Sequence, residues 1–564
     1  MERWVGKVAV VTGASAGIGA AIVRSFVRQG MIVAGFARRV EKVKEIADSL
    51  EDSPGKLHPV ECDIAKEESI IAAFAWVKDN LGPISVLVNS AGITKESSLI
   101  DGTLEDWQSV FDVNVLGLCL CTREAVRMMR ETEAEDAVVI HVNSLAAERV
   151  PFIPGFSVYP ASKRAITGLA MTLRHELAGT RIRVTNISPG LVATEFMASY
   201  SMFSPEAMAA APTLDPDDVA AAVIYVLSNP PHVLVCHTVY LRLIFLYNSK
   251  KYAILAQEYI IQKAVNHPDV DYARPPNRGP DFQWYKKVSR MRIGMQKLLV
   301  AVSSNFFSRV YINAKSSSMN LSNKIAVVTG ACSAIGKLIV EELVLKGLKV
   351  VGLSSDINKL KILVDELKSK PGKLYPLQCD LSLPNEIEAA SEWIEKNLGS
   401  VDILINNAGV SIDWSSINGG IQELKKSLDI NVLGLSWITK KILLLMKNKG
   451  VDNGCIVNIN DICGLKWLPL VSDRPISPAY VCSKSALAVL TDWLRLELAQ
   501  NESNIKVISI CPGLVETEMT QQWLKENSRL ALKPKDVADA ILYALQTPEN
   551  VLIKELVITP IREM

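Results

Sequence analysis

Val8-Ala-Val-Val-Thr12-Gly-Ala-Ser-Ala-Gly17-Ile-Gly19 is a short apolar run that breaks into three glycines, 13, 17 and 19, spaced G-x-x-x-G-x-G. A helical pattern over Gly17–Gln29 follows at once. Glycine accepts backbone angles and close approaches that a Cβ forbids, so this spacing reads as a tight turn joining a buried strand to a helix. Such a turn sets backbone N–H groups and the positive end of a helix against an anion, a pyrophosphate for example. Taken alone, the loop is also compatible with a structural turn.

Working outward, the strand-like runs are Val8–Thr12, Ile32–Phe36, Leu57–Cys62, Ile84–Val88, Ala137–Val142 and Ile182–Ile187. Between them lie helical patterns at Gly17–Gln29, Glu68–Asn80, Thr103–Arg130 and Tyr159–Ala178. Near-continuous apolar strands alternating with helices imply a parallel sheet covered on both faces, wound by right-handed crossovers. The whole unit then returns. Val11-Thr-Gly-Ala recurs as Val328-Thr-Gly-Ala, Pro54-Gly-Lys-Leu as Pro371-Gly-Lys-Leu, and Asn114-Val-Leu-Gly-Leu as Asn431-Val-Leu-Gly-Leu, always 317 residues later. A period this long excludes a solenoid. The expectation is α/β: two Rossmann-like, doubly wound parallel-sheet domains in tandem, residues 1–235 and 319–564.

The connector, residues 236–318, differs in kind. It carries 13 Lys+Arg against 4 Asp+Glu and holds 12 of the chain's 35 aromatic residues. Three readings compete: a structured insert, a basic membrane-surface segment, or translated non-coding sequence joining two neighbouring genes, with Met319 opening the second copy as Met1 opens the first; the bland alternative is a poorly ordered connector.

The 564 residues carry 61 Lys+Arg and 60 Asp+Glu, a balance without the field that gathers nucleic acid. Ten cysteines without a C-x-x-C pair and only six histidines argue against a disulfide scaffold or a metal site. The apolar stretch Val233–Tyr247 is broken by His237 and Arg242 and is too short to span a bilayer. A soluble, cytoplasmic protein is expected.

Two further features carry chemistry. Phe36-Ala-Arg38-Arg39 places arginines, and no acid, after the second strand. Arginines there can pair with a 2′-phosphate and so favour NADP(H) over NAD(H). Tyr159-Pro-Ala-Ser-Lys163 sets a phenol and an ammonium on one helix face. An ammonium beside a phenol is expected to lower its pKa towards neutrality, which suits acid–base work.

The ordered set of Thr12-Gly-x-x-x-Gly-x-Gly19, Cys62-Asp63, Asn89-Ser-Ala-Gly92, Asn114, Ser144, Tyr159-x-x-x-Lys163 and Pro189-Gly190 resembles the short-chain dehydrogenase/reductases over nearly all of both copies. The first copy is similar to the NADP-dependent branch that includes insect farnesol dehydrogenases. The resemblance implies that Thr12, Gly13, Ser15, Gly17, Ile18 and Gly19 form the cofactor loop, with Ser15 joining Arg38 and Arg39 at the 2′-phosphate. Asp63 would meet the adenine, and Asn89, Ala91 and Gly92 the middle of the cofactor. Asn114 would fix a proton-relaying water, Ser144 the substrate oxygen, and Tyr159 would exchange the proton. Lys163 would also hold the nicotinamide ribose, and Pro189, Gly190, Val192 and Thr194 would close over the nicotinamide. Dimer-like association, between copies or between chains, is implied through the helices Thr103–Arg130 and Tyr159–Ala178.

The second copy keeps Gly330, Gly336, Asp380, Asn406, Gly409, Asn431, Tyr480 and Lys484. It replaces the middle glycine by Ala334, reads Ser354-Ser-Asp356 without arginine, and puts Asp461 where the first copy has Ser144. An ionised carboxylate repels a developing alkoxide. The second copy is therefore expected to bind NAD(P) weakly or not at all and to be degenerate. The functional expectation is hydride transfer between NADP(H) and an apolar alcohol/carbonyl pair (an isoprenoid, steroid or fatty alcohol), with Phe196, Met197, Tyr200, Met202, Phe203 and Met208 in a substrate lid. The alternative is a non-catalytic dinucleotide-binding or scaffolding protein. Cys119, Cys121, Trp76 and Trp107 read as packing.

Overall fold

The structure, a computed structural model, describes residues 1–132, 136–148, 155–196, 213–231, 237–240, 321–465, 476–527, 531–548 and 551–560. The connector beyond Tyr240 and the lid residues 197–212 lie outside them. The first copy runs β1 (Val8–Thr12), α1 (Gly17–Arg28), β2 (Ile32–Ala37), α2 (Val40–Asp48), β3 (Lys56–Glu61), α3 (Glu67–Asn80), β4 (Ile84–Asn89), α4 (Leu104–Phe111), α5 (Leu118–Glu131), β5 (Ala137–Val142), α6 (Val158–Glu176), β6 (Ile182–Pro189), α7 (Pro216–Ser228) and β7 (His237–Tyr240).

Its seven strands pair in parallel in the order β3-β2-β1-β4-β5-β6-β7. Every residue of β1 is buried and the side chains alternate: Ala9 and Val11 pack with Phe26 of α1 and Val223 of α7, while Val8 and Val10 face Phe74 of α3 and Val126 of α5. The second copy repeats the plan, with strands β8 (Ile325–Thr329), β9 (Lys349–Ser354), β10 (Lys373–Gln378), β11 (Ile403–Asn406), β12 (Cys455–Ile459), β13 (Lys506–Pro512) and β14 (Glu555–Ile558) in the order β10-β9-β8-β11-β12-β13-β14. Both sheets reverse direction of winding beside their first strand, which opens a crevice at the strand ends there.

Four details differ from expectation. The short helix α2 was not legible, because its apolar positions are only Val43 and Ile46 on an otherwise solvated face. The long helix Thr103–Arg130 contains a π-helical turn, Asp112–Gly117, between α4 and α5. The last strand of the first copy lies at 237–240, past the boundary at 235, although the sequence there has diverged from the second copy. A strand that pairs along one edge by backbone hydrogen bonds tolerates such divergence. Trp76 is 37% exposed rather than packed, whereas Trp107, Cys119 and Cys121 are buried.

The two copies meet chiefly through α6 and its counterpart, the helix Pro478–Gln500. At Gly168 of α6 an added Cβ would lie 2.9 Å from Ser485 Oγ, so the helices approach as closely as a missing side chain permits. Trp107 packs edge-on against Trp437, ring centroids 5.7 Å apart.

Beneath the crevice, Asn89 at the end of β4 donates through Nδ2 to Thr122 Oγ1 (2.9 Å) and approaches His141 Nδ1 of β5 (3.1 Å). That arrangement needs an unprotonated Nδ1. Burial, with repulsion from Arg174 and Lys163, holds His141 down at about 3. A histidine kept neutral in the folded state gives stability that is full above its unfolded pKa of about 6.5 and is lost as pH falls below it. Between pH 7 and pH 5 this group alone should cost the first copy about 2 kcal/mol. The second copy has Asn458 at this position, so His141→Asn should remove most of that acid sensitivity, read as a smaller drop in unfolding midpoint between the two pH values. An unchanged drop would show that His141 protonates freely in the folded state.

Candidate functional site

Thr12 closes β1, and its Oγ1 accepts from the backbone N–H groups of Ser90 (3.1 Å) and Ala91 (3.0 Å), tying the ends of β1 and β4 across the crevice. Gly13 and Gly17 take left-handed angles, φ +70° and +52°. A Cβ on Gly13 would lie 2.8 Å from Ala91 Cα, one on Gly17 3.0 Å from Thr194 Cγ2, and one on Gly19 2.2 Å from the Gly13 carbonyl oxygen. The loop is thus closed from above by Ala91 and Thr194. Helix α1 starts after Ala16 with no side chain capping it, which leaves the N–H groups of its first turn, Ile18 among them, to an external partner. Backbone cradle, open helix terminus and missing Cβ atoms fit a dinucleotide pyrophosphate.

Arg38 and Arg39 are exposed just past β2. The Arg39 guanidinium stands 3.5 Å from Ser15 Oγ and 3.6 Å from Glu195. Asp63 is half-buried, its Oδ1 accepting from the Ala65 N–H (3.1 Å). Pro189 ends β6 and Gly190 follows, Val192 is buried and bridges to Leu214, and Thr194 covers Gly17.

Asn114 sits in the π turn. Its Oδ1 accepts from Ile93 N (2.8 Å), and its Nδ2 donates to Ile93 O (2.9 Å) and Ser162 Oγ (3.0 Å). One side chain therefore joins the loop after β4 to α6. π turns recur at functional sites because the widened backbone re-aims a side chain. A Cβ on Gly92 would stand 3.2 Å from Asn114 Oδ1 and 3.7 Å from Lys163 Nζ, which brings Gly92, Asn114 and Lys163 into one cluster.

Ser144 heads a short turn after β5, its Oγ accepting from Ala146 N (3.1 Å), and it shares a hydrogen bond with Tyr159. Lys163 Nζ donates to Val142 O (2.9 Å) and lies 5.7 Å from the Tyr159 ring centroid. The expected lowering of the phenol does not occur here. Burial pushes Tyr159 up to about 12 against a smaller downward pull from Ser144. The reason is that Lys163 is itself buried, drawn down to about 8, and aimed at a carbonyl rather than at the phenol oxygen.

Two residues escaped the sequence reading. Phe156 lies three residues before Tyr159, ahead of α6, and packs on it, centroids 4.9 Å apart, while Phe196 covers it from the other side at 5.2 Å. An aromatic residue three positions before Tyr159 was the available signal. His141 was the other, hidden because its partners Asn89 and Thr122 are distant in sequence.

The second copy assembles the same frame with different electrostatics. Asn431 repeats the bonds of Asn114, to Val410 N and O (both 2.8 Å) and Ser483 Oγ (2.9 Å). Lys484 Nζ donates to Ile459 O (2.8 Å), and Asp380 accepts from Ser382. Asn406 donates to Thr439 and Asn458. Tyr480, however, donates to Asp461 Oδ2 (3.1 Å), the residue in the Ser144 position. Ala334 begins its helix without the left-handed angle of Gly17, and Ser333 caps that helix by accepting from Gly336 N (3.1 Å). Asn407 Nδ2 then crosses the loop to Thr329 O, Gly330 O and Ser333 Oγ, all within 3.1 Å. Asp356 caps the helix after β9, accepting from Asn358 N and Lys359 N (each 3.1 Å). A cleft of about 370 Å³ remains, lined by Gly330, Asp380, Gly409, Asp461, Tyr480 and Lys484 among others.

No helix among the described residues is long and apolar enough to cross a membrane, and no group of potential metal ligands occurs among them. The family model for the short chain dehydrogenases matches twice, over residues 7–203 and 324–528. Farnesol dehydrogenase of Aedes aegypti is 44% identical over 240 residues, 42% of this chain and 95% of that protein, along the first copy. Dehydrogenase/reductase SDR family member 11 of Bos taurus is 44% identical over 241 residues, 41% of this chain and 94% of that protein. Among solved structures, an alcohol dehydrogenase of Thermococcus sibiricus complexed with 5-hydroxy-NADP is 28% identical, covering 44% of this chain and 99% of that one with a TM-score of 0.38. With the family model matched in both halves and relatives matched along nearly their full length, the chain belongs to the short chain dehydrogenases, and carries the family's dinucleotide-binding fold twice.

Proposed function

We propose that the first copy is an NADP(H)-dependent oxidoreductase acting on an apolar alcohol/carbonyl pair, and that the second copy is a degenerate, non-catalytic partner. The observation that carries this reading is the convergence of Ser144, Tyr159 and Lys163 beside an uncapped glycine loop in one copy, against an Asp461–Tyr480 pair beside a capped loop in the other.

When bound, the nicotinamide supplies or accepts the hydride. The chain's own residues do the rest. Ser144 Oγ donates to the substrate oxygen as charge develops on it. Burial raises Tyr159, and its hydroxyl would deliver the proton to a carbonyl oxygen in reduction and take it back in oxidation. Lys163 and Asn114 hold the loop after β4 and the strand end in register around that hydroxyl. Phe156 and Phe196 flank the Tyr159 ring and exclude water from it, and they favour an apolar substrate. The relative's name, farnesol dehydrogenase, supports an isoprenoid alcohol or its carbonyl form. Nine described cysteines, all free, suit a reducing, cytoplasmic setting. In the second copy, Asp461 would repel an alkoxide where Ser144 would stabilise one; Ser333 takes up the Gly336 N–H, whose counterpart at Gly19 is left for a pyrophosphate in the first copy, and Asn407 crosses the loop to its carbonyls and Ser333.

NADPH consumption with a panel of apolar carbonyls tests the reading, since a scaffold would bind NADPH without turning over. Replacing Arg38 and Arg39 together by Ala should weaken NADPH binding by about 1–3 kcal/mol per lost charged hydrogen bond while sparing NADH. Unchanged selectivity by titration calorimetry would end the NADP assignment. Tyr159→Phe keeps the ring between its phenylalanines and should lower turnover roughly 10²–10⁴-fold. Tyr480→Phe should leave the rate of the full chain near wild type; dominance of Tyr480→Phe in that comparison would place the activity in the second copy.

A further inference from the structure

Glu497, on the second copy's helix Pro478–Gln500, is 5% exposed and buried against the first copy. Its Oε1 accepts from the Leu99 N–H (3.1 Å) and from the Ser157 hydroxyl, and its Oε2 accepts from Leu99 N (3.1 Å) and Ile100 N (3.3 Å). The two backbone N–H groups can only donate and the Ser157 hydroxyl donates as well, a set that an ionised carboxylate accepts on both oxygens, although burial and the nearby Asp101 push Glu497 upward. Those donors belong to the two segments that frame the Tyr159 ring. Ser157 precedes α6, two residues before Tyr159. Leu99 and Ile100 lie in the loop after β4, which pairs with the α6 approach through Ser97 N–H to Gly155 O (2.8 Å) and the Ser97–Phe156 bridge.

The reciprocal position repeats the loop half of this contact and lacks the half that reaches the tyrosine helix. Glu176 ends α6 where Glu497 stands on its counterpart, and it accepts from Ser415 Oγ (2.6 Å) and Ser416 N (3.0 Å) of the second copy. Ser157 corresponds to Pro478, which has no hydroxyl. The clamp on the start of the tyrosine helix therefore exists only in the direction of the first copy.

We infer that Glu497 is a positioning residue for the first copy's site: the second copy, though degenerate, supplies the carboxylate that seats Ser157 and the Leu99–Ile100 loop, and so sets the wall formed by Phe156 and Tyr159. This rests on the proposed activity of the first copy. It gives the second copy a task that needs no chemistry of its own.

In the full chain, Glu497→Gln turns an amide NH₂ towards one set of donors. It should lower kcat/KM about tenfold or more while leaving the NADPH dissociation constant within about twofold, because only the substrate wall moves. Amide hydrogen exchange at Leu99 and Ile100 should quicken. Ser157→Ala removes a single arm with little risk to folding, should lower kcat/KM in the same direction, and should not add to Glu497→Gln. Glu176→Gln should leave kcat/KM unchanged. Wild-type kcat/KM in both Glu497→Gln and Ser157→Ala, or an equal loss in Glu176→Gln, overturns the inference. If Tyr159→Phe is inactive while those variants are wild type, only the clamp fails; if Tyr159→Phe stays active, the assignment of the first copy fails with it.

Discussion

Helix α6 carries the constraint on which the rest depends. Fourteen of its 19 residues are buried, including Lys163 and Arg164, and only a narrow stripe through Thr167, Met171 and His175 is left towards water. A helix buried this far needs a covering surface, and the second copy provides it through a helix of the same design. Gly168 against Ser485 and Trp107 against Trp437 show how close that covering is. Because Tyr159 and Tyr480 stand at the starts of these two helices, the packing that joins the copies also aims both tyrosines.

That coupling makes the divergence of the copies intelligible. The frame around each tyrosine is retained almost bond for bond: Asn114 and Asn431, Lys163 and Lys484, Ser162 and Ser483 make matching contacts. What changed is the polarity at the reacting point, where a serine hydroxyl gives way to Asp461, and the access to the helix terminus, where Ser333 and Asn407 fill what Ala16 and Ser90 leave open. Loss of those features leaves the hydrophobic core and the shared helix surface untouched. A copy can thus differ at these points and remain a folded partner.

The fold was legible because its signals are local. Buried strands such as Val8–Thr12 and Ala137–Val142 read directly as apolar runs, and the glycine spacing at 13, 17 and 19 marked the turn whose crowding the structure displays. The 317-residue repeat fixed the tandem plan. Helix α2 and strand β7 were harder, the one too short for a periodic signal and the other held by an edge pairing that its own sequence does not announce.

By itself the sequence determined the residue types available for chemistry: Ser144, Tyr159 and Lys163 in one copy, Asp461, Tyr480 and Lys484 in the other. Tertiary structure alone decided their electrostatic state and their company. Tyr159 is pushed up rather than lowered, because burial is a property of the assembled interior and not of a four-residue spacing. His141 is neutral because strands and helices far apart in the chain close around it. Glu497 reaches Ser157 across 340 residues, since hydrogen bonds of this kind depend on which surfaces fold together, and no local pattern records that.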